Sequence, residues 1–300
     1  MYSTALLVER LGYEIPLVIT AKESPEYTIT SKHFEDFAKQ NNAVFISTGK
    51  INTPEVKEIL KSIGKIDIAI SINYSGVISQ EIIDYFEMGI LNAHGGDLPK
   101  YRGNACQAWA IINEADSIGL CIHKMVGGEL DSGDIISREY LPININTKIG
   151  EVYEWMNTAI PDLIVNSIKK LNEDSTYFLE QQSKNPEDAL RCYPRIPEDG
   201  EINWAETNTK ILRLINASSE PFGGAYCRYN GNKLIIWSAE LYEDEEIYLS
   251  TYGQVASISK EGYIIVITGS GKLKITEIEY EGNRTSQINE VIKTIRIKLK

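Results

Sequence analysis

The chain of 300 residues has few cysteines and no long apolar segment. Its four cysteines lack the paired or metal-type spacing of a disulfide framework or a zinc site, so we expect reduced thiols and no metal. No uninterrupted apolar run approaches the roughly twenty residues that a membrane-spanning helix needs, and no charged-then-apolar secretory segment opens the chain. These absences predict a cytoplasmic protein that has no membrane partner. The cysteines are Cys106, Cys121, Cys192 and Cys227.

Basic residues are also in deficit, with 30 Lys and Arg against 42 Asp and Glu and a formal net charge of -12. An acidic surface disfavours general affinity for nucleic-acid phosphates and anionic lipids, although it is compatible with a local basic patch. The composition therefore argues against nucleic acid as a partner.

The first half of the chain alternates short apolar strands with amphipathic segments, a pattern typical of a parallel sheet covered by helices. It predicts an α/β domain over residues 1–185 with a doubly wound, mostly parallel Rossmann-like sheet. A polar stretch punctuated by prolines predicts a linker over residues 186–203. Residues 204–300 contain short β-like runs and the hairpin signal Asn230-Gly231, which predict a smaller, mostly β, OB-like domain.

The chain opens with a predicted helix, Ser3–Leu11, where a doubly wound sheet usually opens with a strand near its centre. Two expectations stay open at this point. Either that first strand is missing from the sequence, or another segment takes its place.

The most informative segment is the predicted strand Gly89–Asn92 and the glycine-rich turn that follows it. Asn92 and His94 are two residues apart, so they lie on one face and enter the turn together. About forty residues after Asn92, a polar turn between two apolar stretches contains Asp131, which places a carboxylate within reach of the same point. Asn92, His94 and Asp131 form one candidate site, whereas His33 and His123 are interpreted as structural.

These motifs resemble the formyltransferase superfamily that uses 10-formyltetrahydrofolate. The resemblance covers nearly the whole chain and implies the fold of methionyl-tRNA formyltransferase, a folate formyl donor and no metal. The matching segments are Asn92-Ala93-His94, Leu98-Pro99, Lys100-Tyr101-Arg102-Gly103, Leu130-Asp131-Ser132-Gly133, Pro197-Glu198-Asp199-Gly200 and Ile202-Asn203-Trp204.

The chemistry of formyl transfer gives each residue of the candidate site a role. The reaction passes through a tetrahedral adduct with a negative oxygen, beside which the Asn92 amide is a neutral donor. His94 can relay the proton that the attacking amine must lose. Asp131 can orient the imidazole or order a water molecule.

The resemblance also implies two sets of binding residues. The predicted folate contacts are Tyr74, Val77, Ile78 and Asp131, and the predicted acceptor contacts are Gly96, Asp97, Lys100, Tyr101 and Arg102. The family usually has Ser in place of Gly96 and an apolar residue in place of Asp97. Asp97 either attracts a substrate ammonium group or caps the turn. Lys100 and Arg102 either meet substrate phosphates or stay solvated.

Two segments of the second domain look like those of enzymes that formylate amino sugars, namely Pro221–Tyr226 and Ile236–Ser238. They predict a nucleotide-linked deoxyamino sugar as the acceptor, as in lipopolysaccharide or O-antigen biosynthesis, and a possible homodimer. One alternative is a methionyl-tRNA formyltransferase. The loop over residues 21–30 argues against it, because this loop is acidic: it contains Glu23 and Glu26, with Lys22 as its one basic residue. The other alternative is a non-catalytic folate-binding homologue.

Overall fold

A computed structural model describes residues 1–21, 23, 28–74 and 76–300. Lys22 and Glu26, used above in the argument about tRNA, lie outside the described residues, as does Ser75 of the predicted folate loop. The described helices are α1 (Tyr2–Arg10), α2 (Ser31–Gln40), α3 (Pro54–Ile63), α4 (Gln80–Ile83), α5 (Cys106–Ile112), α6 (Ile149–Glu173), α7 (Asn208–Ser218) and α8 (Ile288–Val291). Within those ranges no helix is both long and apolar enough to cross a membrane.

The described strands follow the same order along the chain. They are β1 (Leu17–Thr20), β2 (Val44–Ser47), β3 (Ala69–Ile72), β4 (Ile90–His94), β5 (Arg102–Gly103), β6 (Ser117–Lys124), β7 (Ile135–Pro142), β8 (Arg191–Cys192), β9 (Ala225–Tyr229), β10 (Asn232–Tyr242), β11 (Val255–Ile258), β12 (Ile264–Ile267), β13 (Lys272–Tyr280) and β14 (Asn283–Thr285).

The chain divides into two compact units that interleave along the sequence. The first unit comprises Met1–Gly103, Gly119–Leu141 and Glu154–Cys192. The second comprises Asn104–Ile118, Pro142–Tyr153 and Tyr193–Lys300. The continuous domain limits predicted at residues 185 and 204 stay a prediction.

The first unit contains a sheet with the strand order β3-β4-β6-β7, in which β3 and β4 are parallel. Strand β6 pairs with β4 in the antiparallel sense and brings His123 opposite Asn92 and Cys121 opposite His94. Strands β1 and β2 form a separate parallel pair. The predicted α/β fold class is confirmed. The sheet that contains β4 is mixed, because β4 has one parallel and one antiparallel neighbour.

Helix α3 shows how local sequence signals set the elements of the first unit. The Thr53 hydroxyl accepts a hydrogen bond from the Val56 N–H, Pro54 occupies the first turn, and Gly64 follows the last residue at φ 88°. The apolar face of the helix buries Val56 and Leu60 in a core that also contains residues of α4 and β4. Burial of this face, more than intrinsic propensity, stabilises so short a helix.

The second unit contains the antiparallel strand order β11-β12-β13-β10-β9, with β14 paired to β13. Strands β9 and β10 are joined at Asn230 and Gly231, whose φ values of 49° and 84° are the positive pair that a tight hairpin requires. Helix α7 buries Ile211, Leu212 and Ile215 against the core of this sheet. The predicted β-rich C-terminal region is therefore confirmed.

Candidate active site

Strand β4 and its antiparallel neighbour β6 place a histidine pair and an amide side by side. His94, at the end of β4, is 7% exposed, and His123 of β6 is 2% exposed. The imidazole rings lie 6.3 Å apart in an edge-to-face arrangement. The Asn92 Nδ2 atom lies 3.1 Å from His123 Nε2. The strand pairing thus links Asn92 to His123, a residue that is predicted from the sequence to be structural.

Asp131 completes the cluster from the turn before β7. One carboxylate oxygen, Oδ2, accepts a hydrogen bond from the Gly103 N–H at 2.9 Å and lies 3.6 Å from His94 Nδ1. The other, Oδ1, lies 3.6 Å from His123 Nε2. The structure thus brings together the three residues predicted from the sequence, while their catalytic roles stay predictions.

The hydrogen bonds of His94 define which ring nitrogen carries its proton. Nε2 lies 2.7 Å from the carbonyl oxygen of Tyr101, which can only accept, so Nε2 is the donor. The lone pair of the neutral ring is then on Nδ1, facing Asp131. Burial lowers the pKa of His94 from its usual value of 6.5, and the Asp131 charge opposes that shift only in part. His94 is therefore a neutral ring that can accept a proton at Nδ1.

Asp131, unlike His94, carries a charge at neutral pH. Burial raises the pKa of its carboxyl, but the contact with His123, the charges that the two imidazoles carry once protonated in acidic solution and the Gly103 N–H outweigh burial and hold the pKa at about 2. The carboxylate is therefore ionised at neutral pH and can stabilise a proton that His94 receives.

His123 belongs to this cluster, although the sequence predicts it to be structural. Its Nδ1 lies 2.9 Å from the Lys124 carbonyl oxygen and is the donor there, so Nε2 can accept an N–H of the Asn92 amide. One Asn92 N–H is thereby engaged and the amide plane is fixed. The sequence does contain a signal for this role. His123 directly follows the apolar run that ends at Ile122, and a polar ring buried in such a strand needs a hydrogen-bond partner.

Gly96 is the residue that lets the Tyr101 carbonyl approach His94. A Cβ at this buried position would lie 2.1 Å from the Tyr101 oxygen and 2.6 Å from His94 Nε2, too close for any side chain. The Cys121 thiol donates to the Gly96 carbonyl at 3.3 Å, and burial raises the pKa of that thiol to about 11. The departure from the family at Gly96 has a steric reason, and the predicted acceptor contact there stays a prediction.

We expect Gly96→Ala to lower the rate of formyl transfer by about tenfold to a hundredfold, because a shift of His94 by a fraction of an ångström is costly in a pre-organised site. Steady-state kinetics measures the loss. Gly49→Ala is the matched control, since its Cβ would meet nothing within 4 Å. Equal kinetics for the two variants would show that the close approach at Gly96 is not required.

Asp97 is held within the protein by a polar cluster. Its carboxylate pairs with Arg138 at 2.8 Å and accepts a hydrogen bond from the Tyr140 hydroxyl at 2.9 Å. The other guanidinium nitrogen of Arg138 donates to the Leu98 carbonyl at 2.7 Å and pairs with Glu180 at 3.1 Å. Of the two interpretations left open above, this geometry favours a role in holding the turn, because the carboxylate already has cationic and hydroxyl partners.

The remaining predicted acceptor residues differ in their surroundings. Lys100 is exposed, and Tyr101 has a φ of 52° that turns its carbonyl toward His94. Arg102 is half-buried in β5, and its Nε has no hydrogen-bond partner among the described residues. The peptide bond between Leu98 and Pro99 is cis. Acceptor contacts by these side chains stay predictions.

The predicted folate residues lie in the loop after β3. Val77 is 72% exposed, Tyr74 is half-buried, and Ile78 is 5% exposed within the core. Asn52 holds this loop by donating to the Val77 carbonyl at 2.7 Å and accepting from the Ser79 N–H at 2.9 Å. Any folate contact by Ile78 must therefore come from its backbone, since its side chain packs in the core.

Comparison with known proteins places the chain in a family. The family model described as formyl transferase matches residues 4–168, and the model of the formyl transferase C-terminal domain matches residues 195–296. The chain therefore belongs to the formyltransferase family and is a formyl-transferring enzyme by class.

Two curated relatives and one solved structure illustrate the similarity. The methionyl-tRNA formyltransferase of Clostridium tetani is 31% identical over 97% of this chain and 92% of its own length. That of Acetivibrio thermocellus is 27% identical over 95% of this chain and 90% of its own. The N-formyltransferase of Helicobacter canadensis, solved with folinic acid and dTDP-3-aminofucose, has a TM-score of 0.65 and 20% identity over 91% of this chain and 94% of its own.

These relatives overturn the prediction of an amino-sugar acceptor. Seven curated relatives, 25–31% identical, are all methionyl-tRNA formyltransferases, whereas the sugar enzymes are neighbours in structure alone. The two segments behind the prediction also have a structural role. Trp237 is 8% exposed, donates to Glu279 at 3.1 Å and lies under the Arg284 guanidinium, while Gly224 packs against its ring. Those segments build the second unit, which explains why their likeness did not identify the acceptor.

Proposed function

We propose that this chain transfers the formyl group of 10-formyltetrahydrofolate to the amino group of methionyl-tRNA. The observation that carries the proposal is the 31% identity to the methionyl-tRNA formyltransferase of Clostridium tetani over 97% of the chain. The cluster of Asn92, His94 and Asp131 supports it, because a neutral donor, a neutral base and an ionised carboxylate suit acyl transfer to an amine. Solved structures of similar fold that hold folates support the choice of donor.

A local basic surface reconciles the proposal with the acidic composition. The last residues of the chain carry exposed cations, and Arg228 of β9 is joined to them through paired backbone hydrogen bonds with Lys300. Binding of RNA phosphates depends on cations at the point of contact, whereas net charge averages over the whole surface. The exposed cations of this tail are Lys293, Arg296, Lys298 and Lys300.

In the proposed reaction, Asn92 stabilises the oxygen of the formyl group during transfer. His123 engages one N–H of its amide, which leaves the second N–H free to donate in a fixed plane. As the amine nitrogen bonds to the formyl carbon, the carbonyl electron pair moves to oxygen, and a donor in a buried site stabilises this charge strongly. Asn92 would therefore act mainly in the transition state.

His94 and Asp131 account for the proton. The attacking amine loses a proton, which His94 accepts at Nδ1, and the adjacent Asp131 carboxylate stabilises the resulting imidazolium. When the adduct collapses, the bond between the formyl carbon and the folate nitrogen breaks, and the same proton returns to that nitrogen. The ring thus ends the cycle neutral.

The acceptor can be tested by incubating the full chain with 10-formyltetrahydrofolate and methionyl-tRNA, then detecting formylmethionine by mass. We expect turnover on methionyl-tRNA, with a KM that rises severalfold as salt increases from about 50 to about 200 mM, because phosphate contacts release counterions. Free methionine and deacylated tRNA are the controls, and neither should be formylated.

A nucleotide-linked amino sugar belongs in the same assay. Formylation of that sugar without formylation of methionyl-tRNA would overturn the proposed acceptor. If the chain formylates neither methionyl-tRNA nor the sugar, the proposed activity is overturned.

A further inference from the structure

Gln182 is a buried amide that reaches the turn carrying Asp131. It lies 51 residues further along the chain and is 3% exposed. Its Nε2 donates to the Asp131 carbonyl at 3.0 Å and to the Gly133 carbonyl at 2.6 Å. Both N–H groups of one side chain therefore hold the backbone on either side of Ser132.

The turn needs such support, because its backbone is held in an unusual shape. Asp131 has a φ of 47°, which L-residues other than Asn and Asp seldom adopt. Gly133 is packed so closely that a Cβ would lie 1.9 Å from the Lys124 carbonyl oxygen. A conformation of this kind persists only where the surroundings fix it.

The segment that carries Gln182 is itself anchored. Ile135, the first residue of β7, donates to the Glu180 carbonyl at 2.9 Å and accepts from the Leu179 N–H at 2.7 Å. The Gln182 amide oxygen is buried without a hydrogen-bond partner in the part of the chain that the structure describes. A buried unpaired oxygen is unfavourable, so the contribution of this side chain lies in its two donors.

We propose that Gln182 is a positioning residue that fixes the Asp131 carboxylate against His94 and His123. Both carboxylate-to-imidazole distances are 3.6 Å, a separation at which electrostatic coupling changes steeply with small displacements. The inference rests on formyl transfer at this site and not on the identity of the acceptor.

The test compares Gln182→Leu, which places an apolar side chain of comparable size there and removes both donors, with Gln181→Leu at the exposed neighbouring position. We expect Gln182→Leu to lower kcat by about tenfold to a hundredfold, with KM for donor and acceptor within about threefold of wild type. Gln181→Leu should match wild type. Thermal unfolding confirms that each variant is folded, and Gln182→Met, unbranched and of similar length, replaces Gln182→Leu if that variant does not fold.

An NMR titration of the histidine rings provides a readout that does not need activity. The chain has three histidines, so the rings can be assigned with single variants, and exposed His33 is an internal reference. The charged or titratable groups that act on His94 are Asp131, His123 and Arg102. If Asp131 moves from about 4 to about 6 Å away, the His94 midpoint should fall by roughly one pH unit, because a stabilising negative charge recedes.

The outcomes separate this inference from the proposed function. An inactive wild-type chain would end the proposed function, and the His94 midpoint in Gln182→Leu would still decide the role of Gln182. A folded Gln182 variant with an unshifted His94 midpoint would overturn the inference, whatever its kcat.

Discussion

Replacing His94 with asparagine is expected to lower kcat by roughly a thousandfold, because general acid–base catalysis by a positioned imidazole contributes about a hundredfold to ten-thousandfold. Asparagine is polar and smaller, so it fits the 7% exposed position without overpacking, but it cannot accept a proton at neutral pH. Single-turnover formyl transfer measures the chemical step directly. His33→Asn, on the exposed face of α2, is the matched control and should keep full activity.

The pH profile of the wild-type chain gives a second check on His94. Since burial lowers the pKa of this ring below its usual value of 6.5, the ring is neutral at pH 7 and becomes protonated only in more acidic solution. Activity should therefore be level across neutral pH and fall on the acid side, below pH 6.5. Full activity in His94→Asn would remove the imidazole from the mechanism.

Replacing Asp131 with asparagine is expected to lower kcat by about a hundredfold to a thousandfold. The change keeps the size of the side chain and removes the negative charge that stabilises the His94 imidazolium. The tautomer of His94 should survive, because its Nε2 proton is held by the Tyr101 carbonyl and not by Asp131. The loss should therefore be smaller than in systems where the carboxylate also fixes the tautomer.

Asp134 provides the control for this prediction, because it belongs to the same polar turn. Asp134→Asn should retain activity within about twofold, since the carboxylate that faces both imidazoles belongs to Asp131. The acid limb of the Asp131→Asn profile should also move to lower pH, since loss of a nearby negative charge lowers the His94 pKa further. Equal losses in both variants would contradict the assignment of Asp131.

Local signals in the sequence were sufficient for much of the fold. Helix α3 shows this, because the Thr53 cap and Pro54 in its first turn are residues typical of a helix start. Strand β4 is longer than predicted, because its pairing with β6 extends through His94. The Asn230-Gly231 hairpin was predictable because so few residues accept positive φ at two successive positions.

The supporting contacts of the site were less accessible to sequence reasoning. His123 reaches Asn92 through the antiparallel register of two strands, and Gln182 reaches the Asp131 turn across 51 residues. Arg138 pairs with Asp97 across 41 residues. Hydrophobic periodicity and turn residues can be read from a single sequence. Contacts between distant residues depend instead on strand register and on the path of the loops, which local patterns do not determine.

The acceptor was predicted wrongly for a related reason. The prediction of a sugar rests on net charge and on short second-domain segments. Charge averages over the whole surface, however, and Trp237 belongs to the packing of the second unit. Similarity over the full length of the chain samples all positions at once. It therefore discriminates better than a few conspicuous residues.

The partner that holds the His94 proton is a main-chain carbonyl, and this has an evolutionary consequence. A side-chain partner can be lost through one codon change, but the Tyr101 oxygen is present whichever amino acid occupies that position. What must be inherited is a backbone path, namely the glycine at 96 and the left-handed turn at 101. The position of the His94 proton is therefore set by the backbone of the fold and not by a neighbouring side chain.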